Sequence, residues 1–339
     1  MNLTAAQSRT IYIIGMGLLS AVLYSTMFFM MAFLLPVVLV FGRHGFRGML
    51  QSAGVAVVAI FVAMLALAGG GGGLSGSLLA VSPAAALLAG ILLLAWPELP
   101  VRNFVSRSLL AGLLSALMAI PAVYYMLESA EFSTLLDLVL QQTAAYVQLP
   151  QGLGESLPVV IKETMVNFFA VSFFLIVFVS AWLGTRFIRA AFLRGLVQPG
   201  KAFETVLTPE ATKKFMAVGI APLLPEYRVP VWYVWLLMAA WSLLLALRFF
   251  EINSVIVSAF AWNTALALSI CYAVQGLAVL FVKILQTRMA SAAGVMLPVL
   301  LLIVVVGGVT SMIVSAALAL LGTLETWIPF RIPNQGDKP

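Results

Sequence analysis

Charge is what this sequence has least of. Asp, Glu, Lys and Arg make up only 9% of its 339 residues, against roughly 25% in ordinary soluble domains, too few to cover the surface of a soluble fold of this length. Cysteine is scarcer still. Cys271 is the single one, which excludes an intrachain disulfide, a cysteine-based zinc cage and an iron–sulfur cluster. His44 is the single histidine, without a histidine, cysteine or carboxylate neighbour at ligand spacing, so no metal site is expected. The only aspartates, Asp137 and Asp337, fall outside the long apolar runs, which leaves no paired acids for an intramembrane protease. With no catalytic constellation and no cofactor motif intact, the chain reads as a non-enzyme.

What is present is apolar. Hydrophobic residues make up 63% of the chain, the mean hydropathy is +1.11, and nearly uncharged runs recur from Ile11 to Leu321. A helix needs about 20 apolar residues to span a bilayer. The sequence therefore predicts an all-α, polytopic transmembrane bundle of about nine segments, near 10–24, 28–41, 49–67, 74–96, 104–126, 159–186, 231–250, 255–285 and 294–321. The first two share one apolar stretch, divided near Ser25 and Thr26. The first run continues too far, without a small-residue cleavage site, to be a secretory signal, so the N-terminus is expected to be retained.

Orientation follows the positive residues. Arg9, Arg43 and Arg47, Arg102 and Arg107, the segment from Arg186 to Arg228, and Lys283 with Arg288 are expected in the cytoplasm; the acidic 128–155 loop is expected outside. This puts the N-terminus in the cytoplasm of a bacterial inner membrane and, if the last segment crosses once, the C-terminus outside; a re-entrant pair of half-helices broken at Gly307–Gly308 would return the tail, with Arg331 and Lys338, to the cytoplasm. The net charge of +6 is spread over short loops, as positive-inside bias demands, and not gathered into a nucleic-acid-binding domain. Three regions emerge: 1–190, a six-helix membrane block; 191–229, a basic cytoplasmic connector; and 230–339, a C-terminal membrane block. Phe132 to Leu149 has the spacing of an amphipathic helix on the outer face, and Lys201 to Leu223 is expected to form short cytoplasmic helices.

Several local patterns bear on function. Gly195 to Lys201 matches part of a phosphate-binding loop, but Ala202 replaces the Mg²⁺-binding hydroxyl and Pro199 removes an N–H donor, so it reads as a connecting loop. Gly69 to Gly73 reads as a hairpin connection. Gly17, Ala21 and Ser25 recur every fourth residue and offer one helix face of small side chains, either for internal packing or for a partner's helix. Polar residues at membrane depth are costly unless satisfied: Glu163 and Asn167 share a helix face, and Asn263, Tyr272 and Gln275 lie in the eighth segment, as pocket or interhelical groups. The chain lacks the intramembrane carboxylates of proton-coupled transporters, so solute movement would need an energising partner.

The segments Leu224 to Trp235 (LPEYRVPVWYVW), Gln275 to Val279 (QGLAV) and Leu321 to Trp327 (LGTLETW) with Phe330-Arg331 resemble the corresponding motifs of the YybS-like family of bacterial membrane proteins, with Glu325 where an Asp is usual. The family is grouped with the S components of energy-coupling-factor transporters and with the rod-shape protein MreD. The resemblance implies that the first six helices are S-component-like and that Gly17, Ala21 and Ser25 match a contact face for a membrane coupling subunit. Two functions follow as expectations: a solute-binding transporter subunit taking a small molecule, or a non-transporting scaffold or assembly factor among envelope-complex proteins. Membrane lipid is a partner in either case.

Overall fold

A computed structural model of the chain describes residues 5–26, 31–67, 73–101, 103–146, 153–196, 219–252, 254–287, 299–300, 303 and 308–331. Among these, nine α-helices form: α1 (Ala5–Ser25), α2 (Leu34–Leu67), α3 (Gly73–Ala95), α4 (Phe104–Glu128), α5 (Ala130–Tyr146), α6 (Leu153–Leu196), α7 (Tyr233–Phe249), α8 (Val255–Leu285) and α9 (Val309–Leu324), with a single 3₁₀ turn at Leu224–Glu226. Six of them (α1, α2, α3, α4, α6 and α8) are long and apolar enough to cross a membrane, and α7 and α9 are shorter apolar helices. The chain is a multi-pass membrane protein by helix length and hydropathy. Of the expected loop at Gly69–Gly73 all but Gly73, which starts α3, lies outside the described residues, as do residues 197–201 of the glycine–lysine loop and most of the 201–223 segment.

The helices divide into two compact units, 1–221 and 222–339. The division falls inside the expected connector: its last three residues before Pro222 belong to the first unit, and residues 222–229 belong to the second. In the first unit Thr185 Oγ1 accepts the N–H groups of Ile220 (2.9 Å) and Ala221 (3.0 Å), and the buried Arg189 donates to the Ala221 carbonyl at 3.0 Å. Two polar side chains of α6 thereby replace the partners that an irregular backbone lacks.

The second and third expected segments are joined as α2, which is helical on both sides of one non-helical residue, Gly45, with φ 66° and ψ −168°. That conformation is open essentially to glycine alone. The chain reverses there. Tyr12 of α1 packs on His44 with ring centroids 5.5 Å apart, and Ser20 Oγ donates to the Phe33 carbonyl at 2.6 Å, so 34–44 runs antiparallel to α1. A Cβ on Gly17 would stand 2.6 Å from the Ser52 carbonyl oxygen and 2.8 Å from Val55 Cβ, so 46–67 returns alongside α1 in the parallel sense. The first arm has eleven residues, about 16 Å of helix, roughly half of a membrane crossing.

The core of the first unit is a continuous apolar cluster drawn from α1, α2, α3, α4 and α6. Phe33, Leu34, Val37, Met49, Ile60, Leu87 and Ile91 are fully buried in it. Small residues let the helices close: a Cβ on Gly112 would meet Phe174 Cα at 2.7 Å, the close approach on which helix association in lipid depends. The loop before α4 is tied down by Asn103, whose Oδ1 accepts the Val105 N–H at 2.8 Å as an N-cap, and by Arg107, which donates to the carbonyls of Val101 and Leu99. The amphipathic segment near Phe132 is realised as α5, with Leu135, Leu138 and Val139 exposed. Helix α6 has 44 residues, about 66 Å at 1.5 Å per residue, more than twice a hydrocarbon core of about 30 Å.

Candidate functional site

The second unit is organised along α8. Helix α7 turns into it through a cap in which Glu251 takes a left-handed φ of 52° and Ile252 N–H returns to the Leu247 carbonyl at 3.0 Å, the hydrogen-bond pattern of a Schellman motif. Trp241 Nε1 donates to Ser269 Oγ at 3.3 Å, so α7 covers the first half of α8. Helix α9 covers the second half, running antiparallel. A Cβ on Gly276 would collide with the Leu318 carbonyl oxygen, and one on Gly322 with the Tyr272 carbonyl oxygen. Helices α7 and α9 therefore lie end to end along α8, and the start of one meets the end of the other beside Tyr272 and Gln275.

That meeting point is the densest polar site in the second unit. Gln275, 3% exposed, accepts the Val229 N–H on Oε1 at 2.6 Å and donates through Nε2 to the Gly322 carbonyl at 2.9 Å. One amide thus ties the segment before α7 to the last turn of α9. Arg331 makes the second tie. Its Nε and Nη2 pair with the two carboxylate oxygens of Glu325, the Nη2 bond at 2.6 Å, and Nη1 donates to the carbonyls of Pro225 at 2.8 Å and Tyr227 at 2.9 Å. Both side chains are buried, 5% and 7% exposed. A planar guanidinium suits this role because its donors reach a carboxylate bidentately and still serve two carbonyls.

Tyr227 closes the site from below and is 1% exposed. Burial, with Cys271 and Tyr272 beside it, holds its phenol well above the ordinary range and keeps the ring neutral. Tyr272 is fully buried, with Thr326 beside its hydroxyl. Amide and guanidinium here bond to backbone and to carboxylate, which makes the arrangement a clamp. Among the described residues, no group of three or more His, Cys, Asp and Glu side chains stands where it could hold a metal ion.

The structure brings Tyr272 and Gln275 into this clamp and disperses the other polar candidates. Asn263 turns back to the Ala259 carbonyl of its own helix at 2.8 Å. Glu163 is exposed and Asn167 half-buried on α6 of the first unit. Gly17 and Ala21 face inward, Gly17 against Ser52 and Val55 and Ala21 in the core, while the Ser25 hydroxyl donates to the Ala21 carbonyl at 2.9 Å. At Gly17 this face packs against α2 of the same chain.

The sequence leaves the last segment between a single crossing and a re-entrant return, and one contact bears on that choice: Arg331 is hydrogen-bonded to Pro225 and Tyr227 of the connector, so the turn that follows α9 lies beside it. Glu325 and Arg331 were not among the expected site residues. The signal was there: they are the only charged residues between Arg288 and Asp337, of opposite sign and six positions apart. Comparison with protein-family models, curated proteins and solved structures finds no match to the chain.

Proposed function

We propose that this multi-pass membrane protein is a non-catalytic scaffold or assembly factor of a bacterial envelope complex, in the manner implied by the YybS-like resemblance and its grouping with MreD. The observation that carries this reading is the interior of the first unit. Where an S component would keep a pocket, Phe33, Leu34, Val37, Met49, Ile60, Leu87, Leu88 and Ile91 are 0–1% exposed and packed against one another. A ligand site needs a concave space with a few converging polar groups, and of the polar candidates in this unit Glu163 is exposed and Asn167 half-buried on α6. The parts left to meet a partner are α5, the ends of α6 that outrun a bilayer and, by its charge in the sequence, the basic connector.

The three segments that carry the family resemblance, around Leu224–Val229, Gln275–Gly276 and Gly322–Arg331, meet at one point in the clamp.

The test is affinity purification of the full-length protein in mild detergent, beside a variant in which residues 201–214 are replaced by a Gly/Ser linker. A scaffold retains a defined set of membrane or envelope partners, and the variant loses them while still inserting. Unchanged partners in the variant, or the absence of any partner together with thermal stabilisation by a small solute, would return the reading to a solute-binding subunit.

A further inference from the structure

A groove on the first unit, of about 650 Å³, lies between α1 and the returning arm of α2 and is lined by Ala6, Arg9, Thr10, Ile13, Ile14, Gln51 and Val55. Its lining is graded. On α1, residues 6, 9, 10, 13 and 14 share one face, spanning about 12 Å along the axis. The polar groups Arg9 and Thr10 come first and the isoleucines follow. The facing arm runs parallel to α1, so Gln51 stands toward the polar end and Val55, one turn on, toward the apolar end.

The charge around the polar end has one sign. Arg43 lies over the Tyr12 ring, its guanidinium carbon 4.8 Å from the centroid, and Tyr12 packs on His44. Arg9 and Arg43 are both close enough to His44 to act on it through their charges, and Arg47 is exposed on the same turn. No Asp or Glu precedes Glu98 in the chain. Among the described residues the one ion pair is that of Arg331 and Glu325 in the other unit, so no carboxylate among them pairs with Arg9 in the groove.

We propose that this groove binds the phosphate headgroup of an anionic phospholipid, with Arg9 and Gln51 donating to the phosphate and Ile13, Ile14 and Val55 receiving the first methylenes of an acyl chain. A basic pocket between membrane helices at the headgroup level suits such a ligand. The grading from guanidinium to isoleucine within about two turns matches an amphiphile better than a free ion, which has no use for the apolar end. The site does not depend on whether the protein scaffolds a complex or carries a solute.

The experiment is titration of the purified full-length protein in dodecyl maltoside with dioleoylphosphatidylglycerol, dioleoylphosphatidylcholine or inorganic phosphate, bound lipid being counted by native mass spectrometry. Arg9→Gln should weaken phosphatidylglycerol binding about fivefold, the equivalent of about 1 kcal/mol, and leave phosphatidylcholine unchanged. Ile14→Trp, which fills the apolar end without altering charge, should weaken phosphatidylglycerol as well. Arg186→Gln, an exposed arginine of α6 outside the groove, should leave binding within about twofold. Equal phosphatidylglycerol binding by wild type and Arg9→Gln would overturn the proposal, as would phosphatidylcholine binding as tight as phosphatidylglycerol. Displacement of the lipid by equimolar inorganic phosphate would overturn it too, by assigning the groove to a free anion.

Discussion

At the scale of single residues, the most consequential group is Arg331. It serves a carboxylate and two carbonyls from a buried position, so removing it strands an anion and two acceptors together. Arg331→Gln should cost about 3–5 kcal/mol, the usual penalty for breaking one half of a buried pair, read as a fall in the midpoint of thermal unfolding in detergent. The double variant Glu325→Gln/Arg331→Met should lose less than the sum of the two single variants, because each single change leaves the other charge unpaired. Gln275→Leu has a different character. It leaves the Val229 N–H and the Gly322 carbonyl without partners and should cost about 1–3 kcal/mol per stranded group, measured in the same way. Gln275 was legible in the sequence as a polar group at membrane depth, since such groups must be satisfied. Its partners were not, because both are backbone atoms and no side-chain pattern announces them.

Among elements, legibility followed the physical signal. Helix α8 begins and ends at the bounds its apolar run sets, Val255–Leu285, and α1 ends at Ser25, where a hydroxyl pair interrupts the apolar stretch. Helix α6 exceeds its expected span at both ends because hydropathy marks the part of a helix that fits lipid, while hydrogen bonding continues through Arg186 and Arg189. The final helix is Val309–Leu324, which follows Gly308 at φ 54°; most of the expected segment before it lies outside the described residues. The reversal at Gly45 illustrates the converse: a glycine-rich turn was visible in 42–48, but a reversal confined to one residue depends on a backbone angle. Gly45→Ala should therefore destabilise the first unit by about 1–3 kcal/mol. The close crossing of α8 and α9 is equally demanding. Gly276→Ala would set a methyl group against a carbonyl of the other helix and should cost about 1–3 kcal/mol as the helices part, seen as a lower unfolding midpoint with unchanged helix content by circular dichroism.

For the whole molecule, the side of the tail is what the sequence leaves open. A last segment that crosses once puts it outside, whereas a re-entrant one, with Arg331 beyond it, returns it to the cytoplasm. The bonds from Arg331 to Glu325 and to two carbonyls of the connector favour the second, because they hold the turn after α9 beside Tyr227. Labelling of introduced cysteines with a membrane-impermeant maleimide separates the two pictures, and Cys271, fully buried, contributes little background. Arg228→Cys and Asp337→Cys should label from the same side of the membrane as Arg47→Cys, while Ser133→Cys on the exposed face of α5 should label from the opposite side. A tail cysteine that labels with Ser133 would require the chain to cross a bilayer in the few residues after Arg331. At about 3.3–3.6 Å per extended residue, the six positions from Arg331 to Asp337 reach about 20–22 Å, short of a hydrocarbon core of about 30 Å, so such a result would mean that the clamp is open in the membrane.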